Sequence, residues 1–129
     1  MERLVKKYDT ARQYLPESEI FEKDGATIGI IAYGSTHPAI EEALDKLQAE
    51  DIKADYLRLR SYPFRDEVES FIEIHDKVYV VEMNRDGQMH QLLSLAYPGM
   101  VDKLVSITKH DGLPLNARWT AEAIQAEEN

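Results

Sequence analysis

Two short runs of consecutive apolar residues constrain the fold of this chain more than any other feature. Residues 28–33 and 78–81 are apolar without the alternation that a half-exposed strand shows. Runs of this kind are typical of strands that are buried on both faces, as in a parallel sheet covered by helices. The two runs therefore predict an α/β fold built around a central sheet.

Helical patterns separate these strands from two further strand candidates, at residues 54–59 and 104–107. Apolar residues recur at helical spacing after each strand, within residues 38–47, 66–72, 89–96 and 119–124. Alternating strands and helices predict a three-layer α/β/α domain with a mostly parallel sheet of about five strands. Asp66 and Glu69 have the spacing of a capping box at the start of the second helix.

The beginning of the chain differs from this pattern. Residues 1–15 have apolar positions at helical spacing, and Pro16 ends the predicted helix. We interpret residues 1–24 as a leading helix and connector, with a short extended piece at residues 20–22, and residues 25–129 as the domain. The tail, residues 127–129, is expected to fray.

Charge and cysteine content exclude several classes of function. The 129 residues include 15 Lys and Arg against 24 Asp and Glu, a formal net charge of −9. An acidic chain disfavours nucleic acid and anionic membranes as partners. There is no cysteine, which excludes a Cys nucleophile, a disulfide and a Cys-bound cluster within this sequence. No apolar stretch approaches the length of a membrane helix, and we expect a cytoplasmic protein.

Three loops that follow strands are the candidate functional segments, because ligands of open parallel sheets gather at the carboxyl ends of the strands. The second of these loops spans residues 60–65. The candidate residues, for an interface or a ligand, lie in the first and third loops. They are Tyr33, Gly34, Ser35, Thr36 and His37 in the first loop, and Glu82, Asn84, Arg85, Asp86, Gly87 and Gln88 in the third.

The first loop has two interpretations. Its backbone amides and two hydroxyls precede a helix, which can hold a phosphate or carboxylate. Alternatively, Ser35 or Thr36 caps that helix and Gly34 permits the turn. Glu41 and Glu42 in the same region disfavour an anion.

The third loop carries more polar groups than a turn requires. Asp86 is a candidate helix cap, with Gly87 relaxing the backbone. Glu82 beside Arg85 at the end of a buried strand indicates a fixed ion pair or a recognition surface.

No catalytic or metal-binding residue is assigned. The four histidines, at positions 37, 75, 90 and 110, lack the spacing of a metal helix and are most simply surface or packing residues. Ser35 and His37, two residues apart in one turn, do not make a catalytic triad. A receiver-type signalling domain would need an acidic cluster at a strand end that residues 81–82 do not supply.

Three blocks of sequence together resemble a known family. They are GIIAYGSTHPAIEEA at residues 29–43, YLRLR at residues 56–60 and VYVVEMNRDGQ at residues 78–88. With DGLPLNARW at residues 111–119, they closely resemble the C-terminal domain of the alpha subunit of 2-oxoacid:ferredoxin oxidoreductases, particularly the 2-oxoglutarate type. The resemblance implies a fold like the transketolase C-terminal domain.

The resemblance also implies a function. The family enzymes convert a 2-oxoacid, such as pyruvate or 2-oxoglutarate, and coenzyme A to acyl-CoA and carbon dioxide, and pass electrons to ferredoxin. Thiamine diphosphate, iron–sulfur clusters and coenzyme A belong to the complete enzyme, and no cofactor is expected on this chain alone. We therefore expect a non-catalytic assembly domain whose partners are other domains and subunits. The alternative is a small module that binds phosphate or coenzyme A at the turn of residues 34–36.

Overall fold

A mixed sheet of five strands forms the centre of the computed structural model, which describes residues 16–129. The strand order is β1-β3-β2-β4-β5, with β1 antiparallel to β3 and the other neighbours parallel. The strands are β1 (Glu19–Phe21), β2 (Ile28–Tyr33), β3 (Ala54–Leu59), β4 (Lys77–Glu82) and β5 (Leu104–Thr108). The prediction of a mostly parallel sheet is confirmed, and the short extended piece near residue 20 is its antiparallel edge strand.

Four α-helices in the described part of the chain cover the sheet. They are α1 (His37–Ala49), α2 (Asp66–Glu73), α3 (Gln88–Ala96) and α4 (Ala117–Glu128). Apolar side chains of α1 and α4 share one core cluster with the sheet, and those of α2 and α3 share a second cluster. Because two separate clusters need two covered faces, the three-layer prediction is confirmed.

Burial on both faces explains the uninterrupted apolar runs. Ile30 and Ala32 belong to the core on the side of α1, whereas their neighbour Ile31 belongs to the core on the side of α2. All three side chains are fully buried. Successive residues of a strand point to opposite faces, so only an apolar run satisfies both cores.

Three local predictions differ from the structure. Asp66 is the first residue of α2 and follows the N-cap Arg65, so Asp66 does not occupy the N-cap position that a capping box requires. Helix α4 continues to Glu128, whose carboxylate accepts a hydrogen bond from the Tyr79 hydroxyl, so the expected fraying at residues 127–128 is wrong. The predicted leading helix, residues 1–15, lies outside the described residues, and the boundary at residue 25 stays a prediction.

A buried polar network ties the amino-terminal part of β3 to the end of α2. The Nε2 atom of His75 lies 2.7 Å from Asp55 Oδ2, and its Nδ1 atom lies 2.6 Å from the carbonyl oxygen of Phe71. The other carboxylate oxygen of Asp55 accepts a hydrogen bond from the Lys23 amide at 2.7 Å. His75 is only 2% exposed. The network therefore joins the β1–β2 connection, β3 and α2, and confirms that this histidine is a packing residue.

Gly29 in β2 allows α2 to pack closely against the sheet. A Cβ atom at this position would lie 2.7 Å from Cε1 of Phe71 and 3.2 Å from Nδ1 of His75. We expect Gly29→Ala to lower the free energy of unfolding by about 1–3 kcal/mol, because the core must shift to admit the methyl group. Thermal unfolding measures the change. The control is Gly99→Ala, where a Cβ meets nothing within 4 Å; equal stability of the two variants would contradict the prediction.

Within residues 16–129, no helix combines the length and the apolar character that a membrane span requires.

Candidate functional site

The three candidate loops meet at one edge of the sheet, as the sequence predicts. Strands β3, β2 and β4 are neighbours in that order and run parallel, so their carboxyl ends lie side by side. The loop after β2 begins at Gly34, the loop after β3 at Arg60 and the loop after β4 at Met83. We call the surface formed by these three loops the carboxyl edge.

Glu82, the last residue of β4, is the centre of a polar cluster at this edge. Its side chain is fully buried. Oε1 accepts hydrogen bonds from the Asn84 side-chain amide (2.9 Å), the Tyr33 hydroxyl (3.2 Å) and the Met89 backbone amide (2.6 Å). Oε2 accepts one from the His90 backbone amide at 3.1 Å. Both carboxylate oxygens are thus occupied by groups of this chain.

Glu82 holds the beginning of α3 in place. Met89 and His90 are in the first turn of that helix, where backbone amides have no partner within the helix. A negative charge at a helix N-terminus also interacts favourably with the helix dipole. Asn84 adds a third contact, because its Oδ1 accepts a hydrogen bond from the Gln88 amide at 3.2 Å. Residues outside the helix therefore satisfy its free amides.

This arrangement corrects two predictions for the third loop. Gly87, not Asp86, is the N-cap residue of α3, with a left-handed φ of 60° that favours glycine. Glu82 does not pair with Arg85, whose side chain is exposed, because the four donors on Glu82 come from other residues. A buried carboxylate accepts hydrogen bonds from donors that lie close to it. For Glu82 these donors are two backbone amides, a tyrosine hydroxyl and an asparagine side chain.

The first loop is divided between two environments. Tyr33 joins the Glu82 cluster, since its hydroxyl donates to Glu82 and accepts a hydrogen bond from the Asn84 amide at 3.2 Å. His37 turns away from the cluster, and its ring nitrogens contact the Tyr56 hydroxyl at 3.0 Å and the Glu41 carboxylate at 2.9 Å. The structure thus brings Tyr33, Glu82 and Asn84 together and places His37 elsewhere.

Residues 34–36 form a 3₁₀ turn ahead of α1 and not a side-chain cap. Thr36 is buried, and its hydroxyl donates to the carbonyl oxygen of Tyr33 at 2.8 Å, with no cap hydrogen bond to the helix. Gly34 and Ser35 are exposed, and Gly34 has a φ of 68°. The capping prediction for Ser35 and Thr36 is therefore wrong, whereas the requirement for glycine in this turn is confirmed.

Two exposed side chains with large apolar surfaces lie in the loops of the carboxyl edge. Met83, directly after β4, is 44% exposed, and Tyr62, in the loop after β3, is 58% exposed. Tyr62 precedes a cis peptide bond to Pro63 and packs edge-to-face on the buried Phe64. The sequence did not identify Met83 or Tyr62 as candidate site residues, because an apolar residue beside a strand is expected in the core unless its exposure is known.

Burial and the neighbouring Glu82 carboxylate change the pKa of the Tyr33 hydroxyl. Burial, followed by the charge of Glu82, raises its pKa above the usual value. A tyrosine whose pKa is raised in the folded state stabilises the fold below the unfolded pKa of about 10. That contribution is lost as the pH rises through the higher folded value.

We expect NMR of the Tyr33 Cζ atom to show a titration above pH 10, and we expect Glu82→Gln to lower the midpoint of this titration. A midpoint at or below about 10 in the unchanged protein would contradict this.

The described part of the chain contains no group of three or more His, Asp or Glu side chains arranged to hold a metal ion.

His90, which lies on the helix that follows the third loop, places its Nε2 atom 3.3 Å from the carbonyl oxygen of Leu104.

Comparison with known proteins identifies the family. The family described as "Pyruvate:ferredoxin oxidoreductase core domain II" matches residues 26–113, which include β2 to β5 and all three loops of the carboxyl edge. This chain belongs to that domain II family. The resemblance seen in the sequence is thereby confirmed.

A curated relative agrees with this assignment. The alpha subunit of 2-oxoacid:ferredoxin oxidoreductase 2 from Aeropyrum pernix is 32% identical over 125 residues, which are 93% of this chain and 19% of the relative. The chain thus spans about a fifth of the length of that protein.

Solved structures extend the comparison to the fold. 2-Oxoglutarate:ferredoxin oxidoreductase from Magnetococcus marinus, with 2-oxoglutarate, coenzyme A and succinyl-CoA bound, is 26% identical with a TM-score of 0.77, covering 95% of this chain and 22% of that one. A split-gene transketolase is 21% identical with a TM-score of 0.68, covering 84% of this chain and 40% of the other. The second match concerns the fold alone and confirms the expected likeness to transketolase.

An iron–sulfur cluster, which the family implies, does not fit the residues of this chain. The sequence has no cysteine to bind an iron–sulfur cluster. At the carboxyl edge, both oxygens of Glu82 and the hydroxyl of Thr36 are engaged within the chain.

Proposed function

We propose that this chain is a non-catalytic assembly domain of the alpha subunit of a 2-oxoacid:ferredoxin oxidoreductase, of the 2-oxoglutarate type. The complete enzyme would convert a 2-oxoacid and coenzyme A to acyl-CoA and carbon dioxide, with ferredoxin as electron acceptor. The domain's part would be to hold neighbouring domains and subunits in place. We propose a cytoplasmic location for this assembly.

The observation that carries the proposal is the closed Glu82 cluster. A group that takes or gives protons in catalysis must be able to reach a substrate atom. Glu82 is fully buried, and its two oxygens are bound to four donors of its own chain. The cluster is therefore suited to fixing the loop of residues 83–87 and not to proton transfer.

The fixed loop presents groups that suit a protein contact. Met83 is exposed beside the cluster, Arg85 is exposed two residues further on, and Tyr62 is exposed on the loop after β3. Methionine, tyrosine and arginine are enriched at protein interfaces. A rigid loop also loses little conformational entropy when it binds, which favours association.

Co-purification tests the proposal. An antibody raised to this chain should recover, from the source cells, thiamine-dependent 2-oxoacid oxidation that reduces ferredoxin, together with the subunits that carry the cofactors. Recovery of the chain in a complex without this activity, or free of partner proteins, would contradict the assembly role.

The alternative, a phosphate or coenzyme A site at residues 34–36, has one supporting observation. Gly34 and Ser35 are exposed directly before α1. Against it, the Thr36 hydroxyl is already engaged and the Glu41 carboxylate lies one turn away. Calorimetry of the isolated chain with coenzyme A separates the two functions. We expect no heat of binding at millimolar ligand, which limits any binding free energy to about −4 kcal/mol or weaker; saturable heat would favour the alternative.

A further inference from the structure

A groove on the face of the sheet that α1 covers combines an aromatic wall with carboxylates. It lies between the end of β1 and α1 and encloses about 480 Å³. Phe21 and Pro38 supply apolar surface, and Glu41, Glu42 and Asp45 supply three carboxylates. Within residues 16–129, Lys23 is the cationic side chain of the lining, and its Nζ atom donates to the Gln48 side chain at 2.5 Å.

The aromatic wall is held rigid by the core. Phe21 stacks on the fully buried Tyr56, with ring centroids 5.4 Å apart and an interplanar angle of 17°. It also contacts the His37 ring at 5.7 Å. One side of Phe21 is therefore fixed, while 37% of the residue stays exposed and the side chain lines the groove. A large aromatic side chain fixed in an exposed position provides a face for a cation or an apolar stem.

One carboxylate of the groove is also held in place. The Tyr56 hydroxyl contacts Nδ1 of His37 at 3.0 Å, and Nε2 of His37 contacts Glu41 at 2.9 Å. This chain of contacts begins at a fully buried hydroxyl and ends at a carboxylate that is 56% exposed. Glu41 is thus oriented by the core and still accessible to a partner.

We propose that this groove binds an arginine-bearing segment of a partner polypeptide. A guanidinium stacks on an aromatic face and pairs with carboxylates in a bidentate manner, which matches Phe21 beside Glu41 and Glu42. Among the described residues, the groove carries three acidic groups against one lysine, in a chain whose net charge is −9, so a cationic segment is also attracted over a longer range. The groove is open to solvent, and its volume of about 480 Å³ exceeds that of one side chain.

NMR titration of the full 129-residue chain tests the proposal. The probes are N-acetyl-arginine methylamide, its citrulline counterpart and the capped peptide Leu-Arg-Leu-Arg. We expect saturable shifts confined to Phe21, His37 and residues 41–45 with the arginine probe, none with citrulline, and tighter binding of the peptide. Equal binding of citrulline, or a peptide that binds no more tightly than the single residue, would overturn the proposal.

Variants of the groove make the test specific. Glu42→Gln with Asp45→Asn should weaken peptide binding about fivefold, the effect of losing two partly exposed ion pairs. Phe21→Leu, which keeps apolar bulk but removes the aromatic face, should also weaken it. The matched control is Glu69→Gln with Glu73→Gln, which removes two exposed carboxylates from α2 on the other face of the sheet. Equal weakening by the control would show unspecific attraction and overturn the site.

The proposal that the groove binds arginine can be refuted without refuting the proposed assembly role, and the reverse also holds. The groove is tested with defined probes on this chain, whereas the assembly role is tested through residues of the carboxyl edge in the complete enzyme.

Discussion

Glu82→Ala should destabilise the protein more than any other single change at the carboxyl edge. The substitution leaves the amides of Met89 and His90 and the side chains of Tyr33 and Asn84 without their shared acceptor. An unpaired buried group costs about 1–3 kcal/mol; since all four donors belong to half-buried residues, each should cost close to the lower value, and we expect a total loss of about 4 kcal/mol in the free energy of unfolding. Denaturant unfolding followed by circular dichroism measures it.

Two further variants separate the cause of this loss. Glu82→Gln keeps the shape and one acceptor oxygen, and should cost less than the alanine variant. Asp86→Asn removes an exposed charge from the same loop and should change stability by less than about 0.5 kcal/mol. If Glu82→Ala were as mild as Asp86→Asn, the carboxylate would not be the group that holds the loop and α3.

Asp55→Ala should have an effect of similar size at the opposite, amino-terminal end of the parallel strands. It removes the acceptor for Nε2 of His75 and for the Lys23 amide. His75 is buried, and water cannot readily replace the carboxylate. We expect a loss of about 3 kcal/mol, from two groups that each cost about 1–3 kcal/mol when left unpaired. Hydrogen exchange should show faster opening of the end of α2 and of the β1–β2 connection.

The control for this variant is Asp76→Ala, one residue beyond His75, where the aspartate is exposed. A small effect is expected there. If Asp55→Ala and Asp76→Ala proved equally mild, the buried contact between Asp55 and His75 would contribute nothing to the fold.

The sequence predicted the sheet well because local pattern and tertiary environment agree in its strands. Burial on both faces requires apolar residues along β2, where five of six residues are buried, and the shortness of the run distinguishes it from a buried helix. The edge strand β1 carried only a weak signal, since its three residues are half-buried or exposed and leave little periodicity to detect.

The polar clusters were harder to predict because they depend on contacts distant in sequence. Tyr33 and Glu82 are 49 residues apart and meet because β2 and β4 are neighbours. Asp86 is of a residue type that often caps helices. The amides of α3 nevertheless donate to Glu82 and Asn84, which precede Asp86 in the sequence. Propensity identifies which residue types can cap a helix, but only the fold determines which acceptor lies nearest.

Assembly of the complete oxidoreductase from its subunits tests most directly the claim that this chain is an assembly domain. Met83→Asp with Arg85→Glu changes two exposed side chains and should leave the thermal unfolding of this chain unchanged. In the enzyme that contains the variant, native mass spectrometry should show less assembled complex, and turnover should fall in the same proportion. Full assembly and turnover with the variant, or full assembly with lost turnover, would contradict the assembly role of the carboxyl edge.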